Sequence, residues 1–347
     1  ILIFHGGYLA LTGEISLGTY TAFGAYMWMV IWPIRHFGMT LSMFTAAAAG
    51  TQRIFEVLDH EREIEEATTP GAPEPIHGRI EFRHLTFLHP GAARPTLQDV
   101  NIRIDAGETV AFLGRVGAGK STLLKAVVRL IDTPRGQIFI DDCDICDFPV
   151  QRLRRIASMV PQDPFLFSTS LRENLTYDDP GRPDEVLWEA AEAAAVADSI
   201  REFRDGFDTL VGERGQTLSG GQKQRTTLAR GMVRGSPILL LDDCFSAVDT
   251  ETEEKILSGL ARLRRGKTTL LISHRVSTAR HADRIYIIDN GRILESGSHA
   301  ELIEQGGYYA DLAAVQSDKD RDLARKARLL KDLRQETAGI ATAEIGK

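Results

Sequence analysis

Residues 114–122 read GRVGAGKST, and the spacing G-x-x-x-x-G-K-[ST] puts Gly114, Gly119, Lys120 and Ser121 where a phosphate-holding loop needs them. The glycines let backbone N–H groups of Val116, Gly117, Ala118 and Gly119 turn inward as a nest for anions. A helix starting at the loop, through Thr122, adds its positive dipole end. Lys120 is placed to reach the β- and γ-phosphates of a nucleotide, and the Ser121 hydroxyl to ligate Mg²⁺. Two further stretches carry chemistry. Residues 238–242 (ILLLD) end in Asp242, a carboxylate at the C-terminal edge of an apolar strand, where it can hold Mg²⁺ through water. Asp243 follows directly and can act as general base on an attacking water. Residues 217–225 (TLSGGQKQR) make a second glycine-rich turn before a helix, so Ser219, Gly220, Gly221 and Gln222 form a second anion-binding helix start. The first loop already serves one nucleotide, which assigns the second to a nucleotide carried by a partner.

The elements that must position these residues are legible as periodicity. The phosphate loop follows an apolar run at 109–113 and precedes a helical pattern at 123–130, the strand–loop–helix order the motif requires. Residues 79–87 and 97–104 alternate as strands, and 136–141 is a short one. Residues 237–242 and 268–272 are continuous apolar runs, the mark of parallel strands buried on both faces. Residues 284–289, Asn290-Gly291 and 292–295 read as a hairpin on an N-G turn. Residues 150–157 and 183–203 read as helices. Strands alternating with helices predict an α/β domain with a parallel core.

Upstream, residues 1–11 read as the end of an apolar helix, followed by a polar break at 12–17. Residues 15–34 hold no charge, which predicts a run able to span a bilayer core of ~30 Å. The pattern continues to about residue 58, so the helix projects beyond the membrane, with Pro33 as a kink site. Arg35 and His36 then either snorkel to the membrane face or line a wet path between helices. Residues 59–78 have linker composition, acidic and then Pro/Gly-rich. Residues 317–335 are dense in mixed charge and predict an exposed C-terminal helix. The chain begins with Ile inside an apolar run, which reads as a piece of a longer protein.

Composition narrows the function classes. The 347 residues are 43% hydrophobic and 26% charged with net charge −7 and no Lys/Arg block, which argues against a nucleic-acid partner. Of the three cysteines, Cys143 and Cys146 form a lone C-x-x-C without the second pair of a zinc ribbon, and read as surface thiols in a reducing compartment.

With these motifs in this order, the chain resembles the C-terminal part of an ATP-binding cassette (ABC) exporter half-transporter, over residues 18–58 and 79–316. LSGGQ at 218–222 is close to diagnostic. Gln162 in MVPQDPFLF matches the glutamine loop that touches Mg²⁺ and relays to the transmembrane domain. Residues 211–215 (VGERG) match the loop before the signature. Asp249 in SAVD matches the loop that crosses the dimer, and His274 in LISHR the switch histidine on the γ-phosphate. The resemblance implies an α/β P-loop NTPase domain of ABC type, with a RecA-like parallel core, an antiparallel β subdomain and a helical subdomain, preceded by an α-helical transmembrane segment. It divides the chain into the end of a transmembrane domain (1–58), a linker (59–78), a nucleotide-binding domain (79–316) and a charged C-terminal extension (317–347). ATP and Mg²⁺ are the implied cofactors. Ser121, Gln162 and Asp242 would hold the metal; Asp243, His274 and Gln162 would do the catalysis. The implied partners are a second half-transporter, the lipid membrane and a small-molecule, lipid or peptide cargo. The implied location is the inner (plasma) membrane, multi-pass, with the nucleotide-binding domain cytoplasmic.

Two positions depart from that family. It has glutamate after the first carboxylate, where this chain has Asp243, one methylene shorter. It stacks adenine on an aromatic, commonly tyrosine, where this chain has His89, beside Phe87, which reads as core. The signature is intact. In heterodimeric exporters the half with the weak base often carries the good signature, so the resemblance points to the slow-site half of a heterodimer. A homodimer in which Asp243 suffices stays open, as does a nucleotide-binding regulator with little turnover. A soluble ATPase or an importer ATPase of the same superfamily would lack the apolar run at 15–34.

Overall fold

The computed structural model describes residues 2–60, 64 and 74–317. Most of the linker and the charged stretch 318–347 therefore lie outside the described residues. Two compact units divide between Glu63 and Ile64.

The first unit holds short helical turns, Leu2–Gly6 and Gly7–Leu11, and one helix of 42 residues, Leu17–Leu58. Ser16 starts the long helix by accepting the Thr19 N–H on its hydroxyl, 3.0 Å. Pro33 lies inside it, and none of its residues is buried. The length matches the expectation, but the apolar character does not: among the described residues no helix is long and apolar enough to cross a membrane. The reason is composition. The run at 15–34 lacks charge, yet Gly18, Thr19, Tyr20, Thr21, Gly24, Tyr26, Trp28 and Trp32 dilute its aliphatic content.

The second unit is built on two sheets. Its strands are β1 (Ile80–Phe87), β2 (Leu97–Ile104), β3 (Thr109–Leu113), β4 (Ile138–Ile140), β5 (Cys143–Asp144), β6 (Ala157–Val160), β7 (Ile238–Asp242), β8 (Thr268–Ile272), β9 (Arg284–Asp289) and β10 (Arg292–Gly297). The smaller sheet runs β2-β1-β4-β5 and is antiparallel; the larger runs β10-β9-β3-β8-β7-β6. Within the larger sheet, β9, β3, β8, β7 and β6 are mutually parallel, and β10 closes one edge antiparallel.

The continuous apolar runs have a direct cause. Successive side chains of a strand face opposite ways. In β7, Leu239 and Leu241 enter one core while Ile238 and Leu240 enter the other; in β3, Ala111 and Leu113 divide in the same way from Val110 and Phe112. The large sheet is thus the wall between two cores. One is shared with the small sheet and the helix Lys120–Val127. The other is shared with the helices Asp184–Ala193, Ala197–Glu202, Gly220–Val233 and Thr250–Leu263. The loops carrying the candidate site residues leave the C-terminal edge of this wall, where strand-end ligand sites of α/β folds lie.

Two expectations need correction. The single helix read at 183–203 is two helices, broken at Ala195, whose φ of +53° is left-handed. The thiols of Cys143 and Cys146 are half-buried rather than surface groups, and burial pushes Cys146 up to about 11. At that value it is protonated and a poor nucleophile at neutral pH.

Candidate active site

The phosphate loop is a backbone device, and two of its glycines are obligatory. A Cβ at Gly114 would lie 2.0 Å from the Ile288 carbonyl oxygen of β9. One at Gly119 would lie 2.7 Å from the Thr96 carbonyl oxygen, and Gly119 caps the helix Lys120–Val127 at a φ of +102°. The β9–β10 hairpin also buttresses the loop: the Gly291 N–H donates to the Ala118 carbonyl, 3.2 Å. A Cβ at Gly291 would come within 2.4 Å of the Thr96 carbonyl oxygen, so the N-G turn serves this close approach as well as the hairpin.

Lys120 is buried, and its ammonium donates to the carbonyls of Gly114 and Arg115, both at 2.8 Å. Burial lowers its pKa, while the charges of Asp243 and Asp242 act against that shift. The carbonyls hold the ammonium at the loop, ready to exchange them for a stronger anionic acceptor. Ser121 donates its hydroxyl to Asp242 Oδ1, 2.8 Å, which joins the helix start to the end of β7. Asp242 is buried; Asp243, half-buried, sits at a φ of +47°. Burial raises the Asp243 carboxyl above the ordinary aspartate range; His274 and Lys120 counter this, and Asp242 adds to it.

These groups converge on one cavity of about 220 Å³. Val116, Gly117, Ala118, Gly119, Lys120, Ser121 and Thr122 form its loop side; Gln162, Asp242, Asp243 and His274 form the rest, together with Thr96 and Ile272. Gln162 and His274 are exposed, free to meet a ligand. Thr96 escaped the sequence reading because its part is a backbone carbonyl against two glycines, which leaves no side-chain signature. His89 is outside the lining: it is exposed and packs edge-on to Phe87, ring centroids 4.8 Å apart. Phe87 packs against the small-sheet core.

The donor set suits Mg²⁺. That ion takes hard oxygen ligands, typically one or two carboxylates, substrate phosphates and water. Ser121 and Asp242 bring two such oxygens to one point, and Gln162 lines the same cavity.

The signature residues are not in this cavity. Ser219 caps the helix Gly220–Val233 with a reciprocal pair: its hydroxyl accepts the Gln222 N–H at 3.3 Å, and Gln222 Oε1 accepts the Ser219 N–H at 2.9 Å. Ser219 and Gly220 are exposed. A Cβ on Gly220 would meet nothing within 4 Å, so its own chain does not require glycine there. Asp249 is likewise exposed, and caps the helix Thr250–Leu263 by accepting the Thr252 N–H, 3.0 Å. That bond holds its carboxyl below the usual range.

The family described as ABC transporter matches residues 97–246. The chain is 42% identical over 309 residues to the ATP-dependent lipid A-core flippase of Aromatoleum aromaticum, covering 89% of this chain and 51% of that one. It is 41% identical to a Staphylococcus aureus protein named for multidrug export as an ATP-binding/permease protein, covering 91% of this chain and 55% of that one. The chain thus spans about half the length of these relatives. Its fold is similar to the structure of a bacterial Atm1-family ABC exporter with ATP bound: TM-score 0.74, 34% identity, 87% of this chain and 53% of that one.

Proposed function

From a chain that belongs to the ABC transporter family, we propose that it is the ATP-binding, ATP-hydrolysing C-terminal part of an exporter half. The observation that carries the proposal is the separation of two nucleotide-facing surfaces on one domain. One is the cavity at Lys120, lined by the phosphate loop with Gln162, Asp242, Asp243 and His274. The other is the helix start at Ser219, exposed and shaped by a glycine its own fold does not need. Each is half of a site. A nucleotide seated on Lys120 has its outer face covered by the Ser219–Gln222 turn of a second half-transporter, and this chain's turn covers the nucleotide of that partner. Closure of the pair around ATP drives the attached membrane segments, and hydrolysis reopens it.

In this reading Val116–Thr122 amides and Lys120 bind the phosphates, and Gln162 and His274 orient the γ-phosphate end. Asp243 accepts the proton of the attacking water. Ser121, Gln162 and Asp242 would hold Mg²⁺, which would neutralise phosphate charge there. Asp243 makes the site slow: its carboxylate stops about 1 Å short of a glutamate's, a misplacement that can cost ~10²-fold. The chain is then the slow-site half of a heterodimer whose faster chemistry runs over its own intact signature.

The proposed setting is the inner (plasma) membrane. Leu17–Leu58 is not apolar enough to cross a membrane by itself, but its exposed large apolar side chains, among them Phe23, Trp28, Trp32, Phe37 and Phe44, fit packing among further helices in that setting. The relatives' names, lipid A-core flippase and multidrug export protein, point to an amphipathic small-molecule or lipid cargo.

The test is steady-state ATPase of the full-length protein in lipid nanodiscs, alone and as Asp243→Glu and Lys120→Ala. The proposal expects slow hydrolysis by wild type, a rise of ten-fold or more in Asp243→Glu and loss of ATP binding in Lys120→Ala. Fast wild-type turnover, unimproved by Asp243→Glu, would establish the homodimer with an adequate aspartate instead. Equal nucleotide binding by wild type and Lys120→Ala would refute the site altogether.

A further inference from the structure

His274 is exposed and stands in a loop after β8, so something must fix where its ring points. Two clamps bracket it. Gln316 reaches back with both ends of its amide: Nε2 donates to the His274 carbonyl, 2.8 Å, and Oε1 accepts the Val276 N–H, 2.8 Å. These are the backbone groups on either side of Arg275. The second clamp is on Arg275, whose guanidinium donates to Glu253, 2.5 Å, and to the Val248 carbonyl, 3.2 Å. Glu253 is buried and also accepts the Thr278 hydroxyl.

Gln316 has a rigid base. Residues 308–317 are helical. At the start of that helix the Glu295 carboxylate accepts the N–H groups of Tyr308, 2.5 Å, and Tyr309, 3.0 Å. Tyr309 is fully buried, with its hydroxyl 2.8 Å from His299 Nδ1, and Leu312 and Ala313 pack on the helical core. The last turn then presents Gln316 to the loop, one residue before the charged stretch 317–347 begins.

We propose that Gln316 is a positioning residue for His274, which ties the end of the nucleotide-binding domain to the γ-phosphate end of the site. A carboxamide suits the task because it supplies one donor and one acceptor in a fixed plane, matching one carbonyl and one N–H two residues apart. The same geometry makes whatever holds or displaces residues 308–317 a control on the histidine. The proposal rests on the ATP-site reading for its effect on nucleotide, but the clamp itself does not.

Two measurements on the full-length protein test it, using Gln316→Met, which keeps the side-chain bulk and loses both hydrogen bonds. Hydrogen exchange without nucleotide reads the clamp: exchange at the Val276 amide rises at least ten-fold over wild type, while the Tyr308 and Tyr309 amides keep their protection. Competition binding reads the consequence: the preference for ATP over ADP falls about five-fold with ADP affinity unchanged. Gln316→Glu, which keeps the acceptor and loses the donor, falls between wild type and Gln316→Met in both. Unchanged Val276 exchange in Gln316→Met overturns the clamp. Raised exchange with an unchanged ATP/ADP ratio overturns the positioning role. A wild type that binds neither nucleotide defeats the ATP-site reading and with it the positioning role, while the exchange measurement still decides whether the clamp exists.

Discussion

Asp243 is a candidate site carboxyl whose burial and backbone are both unusual. Its folded-state pKa is raised, chiefly by burial. A raised acid is one whose ionised form the fold disfavours. The stabilising contribution is therefore present below the unfolded pKa and is lost as pH rises through the folded one. Asp243→Asn removes a charge that is unfavourable at neutral pH, and asparagine tolerates the φ of +47°. Its melting temperature should exceed wild type near pH 7 and converge with it as pH falls into the ordinary aspartate range; thermal scans across that range check the sign. Asp243→Glu pulls two ways. Left-handed backbone costs most residues about 1–2 kcal/mol and is easier for Asp and Asn. Glutamate should therefore melt lower than wild type while hydrolysing faster. A related outcome belongs to Ser121. Ser121→Ala strips a hydrogen-bond donor from buried Asp242, at a cost of about 1–3 kcal/mol. The same change removes one oxygen of the proposed Mg²⁺ set, so Mg²⁺-dependent ATP affinity, read by titration with and without the metal, should fall more than metal-free affinity.

At the scale of elements, the sheets were the readable part and the helical region was not. Strand runs such as 238–242 and 268–272 were legible because both faces of the parallel wall are buried, so nothing polar interrupts them. The periodicity at 183–203 runs through the break because Ala195, where the break falls, carries no turn signal. The helix Thr250–Leu263 passes against the end of Asp184–Ala193, a Cβ at Gly259 lying 2.7 Å from the Ala193 carbonyl oxygen, and two residues further on Ala195 takes a left-handed φ. This predicts that Ala195→Gly stabilises. Relief of left-handed strain, about 1–2 kcal/mol, exceeds the entropy that glycine adds to the unfolded chain, about 0.4–1 kcal/mol. Chemical denaturation of Ala195→Gly should therefore show a midpoint above wild type, and a lower midpoint would locate the break's cause elsewhere. The candidate side chains that line the Lys120 cavity are nameable from the sequence because each belongs to a motif with fixed spacing. Their supports were not, since Thr96 and Gly291 act through backbone approach and Gln316 through hydrogen bonds across some forty residues.

Over the whole molecule, the sequence reads the signature and the phosphate loop as two anion sites, the second serving a nucleotide carried by a partner. Ser219 and Gly220 lie outside the cavity of Lys120, exposed, on a helix start already satisfied by its own capping pair. A satisfied cap needs no ligand for stability, and Gly220 needs no glycine for packing. Both facts fit the proposed reading, in which this surface is kept flat for the phosphates of a partner's nucleotide. Gly220→Asp separates the two roles. The side chain has open space, and a carboxylate in the first turn of a helix is favourable by about 0.3–1 kcal/mol, so the variant should melt at or slightly above the wild-type temperature. Nucleotide binding to its own cavity in the isolated chain should be unchanged, since Gly220 does not line it. The negative charge would instead confront the γ-phosphate end of a partner's nucleotide, and ATP-driven association of the two halves should be lost along with hydrolysis. Light scattering of the full-length pair with ATP, beside a nucleotide-binding titration of the single chain, distinguishes the outcomes. Weakened binding by the single chain would place the signature in its own site, and retained ATP-driven association would remove the signature from the interface.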